Sequence, residues 1–122
     1  MTLEILGRIP SKKNSLRRIK RGHRVLTAAS LAYEAWHRDA SYQIARLRPS
    51  SPIERCEVTI TFYAPDRRRA DLTNKAESVM DLLVDCGFLA DDNWHVVPGV
   101  ELRLGGIHVK KPRAIVVLKE IV

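Results

Sequence analysis

The chain has 122 residues and a mass of 13.9 kDa, enough to bury one sizeable core and too few for two. With 45% apolar residues, 29% charged residues and only six glycines and six prolines, disorder and collagen-like repeats are excluded. The formal net charge of +7 favours an anionic partner, and the longest apolar run, Ala114 to Leu118, is far short of the roughly 20 residues that span a bilayer.

Leu3 and Ile5 alternate with Thr2 and Glu4, predicting a short strand before Gly7. Pro10 to Ser15 reads as a loop. From Arg8 to Arg24 the bases Arg8, Lys12, Lys13, Arg17, Arg18, Lys20, Arg21 and Arg24 occur without an acid. Residues 1–50 hold 11 Lys and Arg against 3 acids, for +8, whereas residues 51–122 hold 10 against 11, for −1. The N-terminal part therefore supplies the field, and its density suits a polyanion backbone, where each neutralised phosphate releases counterions.

From Ala28 to Leu47, the residues Ala29, Tyr33, Trp36, Ala40, Ile44 and Leu47 share one stripe at helical spacing, predicting an amphipathic helix with Tyr33 and Trp36 in the core. Arg48 to Pro52 is a loop. Val58, Ile60 and Phe62 then alternate with Thr59, Thr61 and Tyr63 as a half-buried strand ending at Pro65. After Arg67, Arg68 and Arg69, a second helix carries Leu72, Ala76, Val79, Met80 and Leu83 as its apolar stripe and is stopped by Gly87. Trp94 to Leu104 is expected to be a strand interrupted by Pro98-Gly99, and Ala114 to Leu118 the last strand, beyond Gly105-Gly106 and Lys110-Lys111-Pro112. The expectation is a single α+β domain over residues 1–122, helices packed on a mixed sheet, in the order β-α-β-α-β-β.

Cys56 and Cys86 stand thirty residues apart with no ligand spacing around them, which argues for small buried apolar residues and against zinc or a disulfide framework. Met1-Thr2-Leu3-Glu4 lacks an export pattern, so a cytoplasmic protein without membrane insertion is expected.

The acids carry the chemistry. Asn74, Glu77, Asp81 and Asp85 fall on one face of the second helix, where like charges at i and i+4 cost about 0.2–0.5 kcal/mol per pair. Asp71 precedes that helix and Asp91-Asp92 follows it, making seven acids between Asp66 and Asp92. Singly they have ordinary readings: Asp71 as helix N-cap, Asp85 as solvent-facing, Asp91-Asp92 as a polar turn, Lys75 as a surface lysine. Together, in a protein built to attract polyanions, they call for a cation between carboxylate and phosphate. Magnesium combines one or two carboxylates with substrate phosphates, which implies metal-dependent phosphodiester hydrolysis. His95 and His108 have no partner at a telling spacing.

The stretch from Tyr63 to Glu77, with Asp81, Gly87-Phe88-Leu89-Ala90-Asp91-Asp92 and Val96-Val97, resembles the RusA family of Holliday-junction resolvases, and the basic segment with Pro10-Ser11 and Asn14 is also similar. The resemblance implies a small homodimeric magnesium-dependent endonuclease, with manganese as an alternative ion, that cuts four-way DNA junctions and needs no small-molecule cofactor. It places the family aspartates on Asp71 and Asp92, with Asp91 beside the latter. Two positions depart: Thr73 stands where the family has its second aspartate, and Glu77 where it has a catalytic lysine. The expected catalytic set is Asp71, Glu77, Asp92 and Lys75. The metal is expected at Asp71, Glu77 and Asp92 with support from Asp91 and Asp81. Lys12, Lys13, Asn14, Arg17, Arg18, Lys20, Arg21, Arg67, Arg68 and Arg69 are expected on DNA. Competing expectations are a non-catalytic nucleic-acid-binding module and a nuclease of the same fold acting on forks, flaps or single strands.

Overall fold

Period-two alternation of apolar and polar residues builds the central sheet, and period 3.6 builds the two helices laid on it. The computed structural model describes residues 1–11, 16–21, 24–29 and 31–122, with residues 16–21 and 24–29 described by their backbone alone. In chain order the elements are β1 (Thr2–Leu6), β2 (Leu16–Arg21), β3 (Arg24–Ala29), α1 (Leu31–Ile44) with a 3-10 turn at Ala45–Leu47, β4 (Cys56–Ala64), α2 (Leu72–Asp85), β5 (Gly99–Ile107) and β6 (Arg113–Glu120).

Strands β1, β6, β4 and β5 form one sheet in that order, with β4 and β5 parallel and the other pairs antiparallel. A parallel pair needs a crossover, and α2 provides it. This is the expected α+β domain with a mixed sheet and two helices. Leu3, Ile5, Val58, Ile60, Phe62, Ala114, Val116 and Leu118 bury one sheet face in a single cluster with Tyr33, Trp36, Ala40 and Ile44 of α1 and Val79, Leu82 and Leu83 of α2. The other face carries Glu4, Glu57, Val117 and Lys119, all exposed. Cys56 is buried and Cys86 half-buried, both free thiols.

Four boundaries differ from expectation. Residues 16–21 and 24–29 pair as antiparallel strands, β2 with β3, in place of a basic loop and the first turn of a helix. Helix α1 consequently begins at Leu31, and Ala29, expected on its apolar stripe, lies in β3. Leu47 leaves the stripe as an exposed residue of the 3-10 turn. The strand expected from Trp94 starts at Gly99, because the Asn93 side chain accepts from the N–H groups of His95 and Val96 and its carbonyl from those of Val96 and Val97, holding a turn.

Gly105-Gly106, expected as a break, lies inside β5. A Cβ on Gly105 would stand 2.7 Å from the Tyr63 ring and 2.8 Å from the Thr61 methyl, so the missing side chain lets Tyr63 lie across the strand. Gly87 closes α2 as expected, in the left-handed conformation at φ +78° that glycine adopts without strain.

Candidate functional site

Helix α2 starts where β4 ends, and the intervening loop turns on Asp66. One carboxylate oxygen of Asp66 accepts from the Arg68 N–H at 2.9 Å, and the other lies 3.5 Å from Arg68 Nε. Arg67, Arg68 and Arg69 are thereby presented together at the surface. Asp71 is the N-cap of α2: its Oδ1 accepts from the Thr73 N–H at 3.0 Å and from the Thr73 hydroxyl at 2.6 Å. Thr73 therefore orients the Asp71 carboxylate and adds no second one.

One turn into α2, Lys75 Nζ donates to the Ile9 carbonyl at 2.6 Å, and Ser78 Oγ donates to the Pro10 carbonyl at 2.6 Å. These two bonds dock the segment leaving β1 against α2, so the start of the basic N-terminal region meets the acidic helix. Burial, and then the charge of Arg8, pull the Lys75 ammonium below the ordinary lysine pKa, while Asp66 pushes it back up. Lys75 lies on the wall between two clefts. One, of about 340 Å³, is lined by Arg8, Arg69, Asp71, Asn74 and Lys75 among others. The other, of about 440 Å³, opens at the carboxyl ends of β4 and β5.

The remaining acids are spread along the helix and the turn after it. Glu77 is exposed on α2, six residues and about 9 Å of helical rise beyond Asp71. Asp81 Oδ2 accepts from the Tyr33 hydroxyl at 2.6 Å, and Asp85 Oδ2 lies 2.9 Å from His37 Nε2. Asp91 folds its own turn, accepting from the Asp92 N–H at 2.7 Å and from Asn93 Nδ2 at 3.1 Å, and Asp92 beside it is exposed. Among the described residues, the ligand atoms of His37, Asp81 and Asp85 lie within 4.8 Å of one another, and those of Asp71, Glu77 and Asp92 form no such group. Lys12, Lys13 and Asn14 lie outside the described residues. Arg17, Arg18, Lys20 and Arg21 lie on β2, with their side chains outside the description.

Sequence reasoning missed Tyr33 and His37 as partners of the acids. The signal was present: Tyr33 and His37 are four apart on α1, as Asp81 and Asp85 are on α2, so two helical faces of matching period meet. Burial first, then the hydrogen bond to Asp81 and the charges of Asp81 and Asp85, push the Tyr33 phenol above its ordinary pKa of 10.0. A raised folded-state value means the contribution is complete below pH 10 and is lost as pH rises above it. The stability difference between wild type and Tyr33→Phe is therefore expected to hold steady up to about pH 9 and to shrink as pH rises from about 10 towards 12. Chemical denaturation along that series checks it, and a constant difference would contradict it.

A divalent ion can be fitted by donor chemistry. Asp71, Asn74, Asp91 and Asp92 offer hard oxygen donors of the kind magnesium takes. His37, Asp81 and Asp85 offer a mixed imidazole and carboxylate set better matched to transition metals, and their atoms already bond within the seam between α1 and α2. The oxygen donors thus suit magnesium better by chemistry, while Asp71 and the Asp91-Asp92 turn flank the 14-residue α2 at opposite ends, about 20 Å of helical rise apart. No described helix is long and apolar enough to cross a membrane.

The family model for endodeoxyribonuclease RusA matches residues 8–119. No curated protein matches the chain.

Proposed function

Because the chain belongs to the RusA family of endodeoxyribonucleases, the Holliday-junction resolvases, we propose that it resolves four-way DNA junctions by magnesium-dependent phosphodiester hydrolysis in recombination and repair. The observation that carries this reading, beside the family, is the cleft at the N-terminus of α2, where Asp71 and Asn74 share a wall with Arg8, Arg69 and Lys75. A carboxylate among cations at a helix N-terminus is a place where a phosphate and a divalent ion are both welcome.

In this proposal Asp71 and Asp92, one at each end of α2, take magnesium, or manganese in its place, with Glu77, Asp91 and Asp81 as outer support. The bound ion would supply Lewis-acid polarisation of the scissile phosphate and a more acidic water. The protein's own groups do the rest. Thr73 keeps the Asp71 carboxylate in one orientation, which is worth most when the geometry is held in advance of the substrate. Lys75, fixed by Ile9, presents a cation to the phosphate. Arg67, Arg68 and Arg69, with Lys12, Lys13, Asn14, Arg17, Arg18, Lys20 and Arg21, bind backbone phosphates without reading sequence. A homodimer in the cytoplasm would set two identical sites in twofold register with the two related strands of a junction.

The test compares a four-way junction, a fork, a flap and plain duplex, each with magnesium and with chelator. The junction is expected to be cut at least about tenfold faster than the others, a difference of about 1.4 kcal/mol in transition-state binding, and nothing should be cut under chelator. Faster cutting of forks or flaps would identify a nuclease of another substrate class, and tight binding without cutting would identify a non-catalytic binder.

A further inference from the structure

The cleft of about 440 Å³ at the carboxyl ends of β4 and β5 shares Arg69 and Lys75 with the polar cleft beside it, yet it is built differently. Ile9, Phe62, Leu72, Leu104 and Ile107 give it an apolar lining, and five cations, Arg67, Arg68, Arg69, Lys75 and Arg113, line it against one acid, Asp66, which pairs with Arg68. Two of the apolar wall residues are left open to solvent in the protomer, Leu104 at 57% and Ile107 at 43%. Apolar surface ringed by charge marks a binding site more often than a packing defect.

One side of the cleft is planar and preset. The Arg113 guanidinium sits 4.1 Å from the centroid of the Tyr63 ring, and Arg113 Nη1 is anchored by the Lys111 carbonyl at 3.0 Å and by His108 Nδ1 at 2.7 Å. Gly105 allows this arrangement, since any side chain there would collide with the ring. The ligand that suits apolar walls beside a preset planar guanidinium, among several cations, is itself flat and apolar and attached to a chain of anions. We infer that this cleft receives an unstacked nucleobase of the DNA strand whose phosphates lie on Arg67, Arg68 and Arg69.

The inference rests on the proposed action on branched DNA and adds a means of choosing it. Unstacking a base from regular duplex costs a few kcal/mol, and least where the base is already unpaired or poorly stacked. Stacking it on protein returns about 1–3 kcal/mol. The exchange is unfavourable in duplex and close to balanced at a branch point, so the cleft would favour junctions over duplex without reading sequence.

The test uses the full chain under chelator, with 2-aminopurine placed either at the branch point of a junction or in the middle of an arm. Binding is expected to raise branch-point fluorescence severalfold and leave the mid-arm probe unchanged. Ile107→Lys adds a cation but spoils the apolar wall. It should abolish the rise and reduce the ratio of junction to duplex affinity about tenfold, even though charge alone would tighten binding. Its thermal transition, measured alongside, should match wild type because Ile107 is half exposed, and Ile107→Val should keep the rise. No rise in wild type, or an equal rise in Ile107→Lys, would overturn the inference; wild-type cutting with magnesium would still leave the nuclease reading standing. An unchanged fluorescence response with a loss of mass in sedimentation would also overturn it, assigning the cleft to a second copy of the chain.

Discussion

Asp71→Asn and Asp92→Asn are each expected to lower magnesium-dependent junction cleavage by at least about a hundredfold, the range for removing a group that acts only in the transition state. Junction affinity measured under chelator should stay within about threefold, because phosphate contacts from Lys and Arg carry affinity. The two variants also separate chemistry from folding. Asn is as good an N-cap as Asp, so Asp71→Asn keeps α2 capped, and Asp92 is exposed in its turn. Glu77, about 9 Å farther along the helix, is expected to matter less, with Glu77→Gln losing about tenfold, as is typical of outer-sphere support. Single-turnover cleavage decides all three. Wild-type rates in Asp71→Asn and Asp92→Asn would remove both from the mechanism.

Phe88→Ala is expected to give the largest loss of stability, about 3–5 kcal/mol, a large share of the 5–15 kcal/mol typical of a domain. Phe88 is fully buried and ties three segments together. Its N–H donates to the Leu83 carbonyl at 2.9 Å, closing α2, and its carbonyl accepts from the Ile53 N–H at 2.9 Å, while the Ala90 N–H returns to the Ile53 carbonyl at 3.0 Å. These backbone ties, with the buried ring packed beneath them, hold the turn that carries Asp91 and Asp92, and loss of the ring should weaken cleavage as well as folding. Val117→Ala, at an exposed position on the open sheet face, should cost under about 0.5 kcal/mol. Urea denaturation of the two variants against wild type measures both effects, and a Phe88→Ala loss below about 1 kcal/mol would contradict this account of the core.

Much of this fold was legible in the residues, for a physical reason. Leu3 with Ile5, Val58 with Ile60 and Phe62, and Ala114 with Val116 and Leu118 bury one sheet face, so burial writes period two into the chain. Residues 16–21 and 24–29 were not legible as paired strands because no such face is required of a separate two-stranded sheet, and the run of Arg and Lys there obscures any alternation. The pairing of Arg21 with Arg24 leaves two residues between them, the first being Gly22, and that short link was the available signal. Ala28 and Ala29 suit a helix by propensity, yet they pair with Arg17 and Leu16, so tertiary context overrode intrinsic preference.

The candidate site was legible in composition and less so in geometry. The acids of α2 were correctly placed on the helix, but spacing within one helix says nothing about what faces it. Asp81 and Asp85 meet Tyr33 and His37, 48 residues away, and that contact is set by how α1 packs. Lys75 was singled out for phosphate, whereas its tie to Ile9 depends on where the chain leaves β1. Thr73 looked like a lost carboxylate until its hydroxyl was found on Asp71.

The most direct test of paired metal-dependent resolution labels each of the four strands of one junction in turn and maps the products of wild-type protein with magnesium. Cuts confined to one pair of opposed strands, at symmetry-related phosphates, and absent under chelator, are the predicted result. Cuts scattered over all four strands, or persisting without a divalent ion, would contradict it.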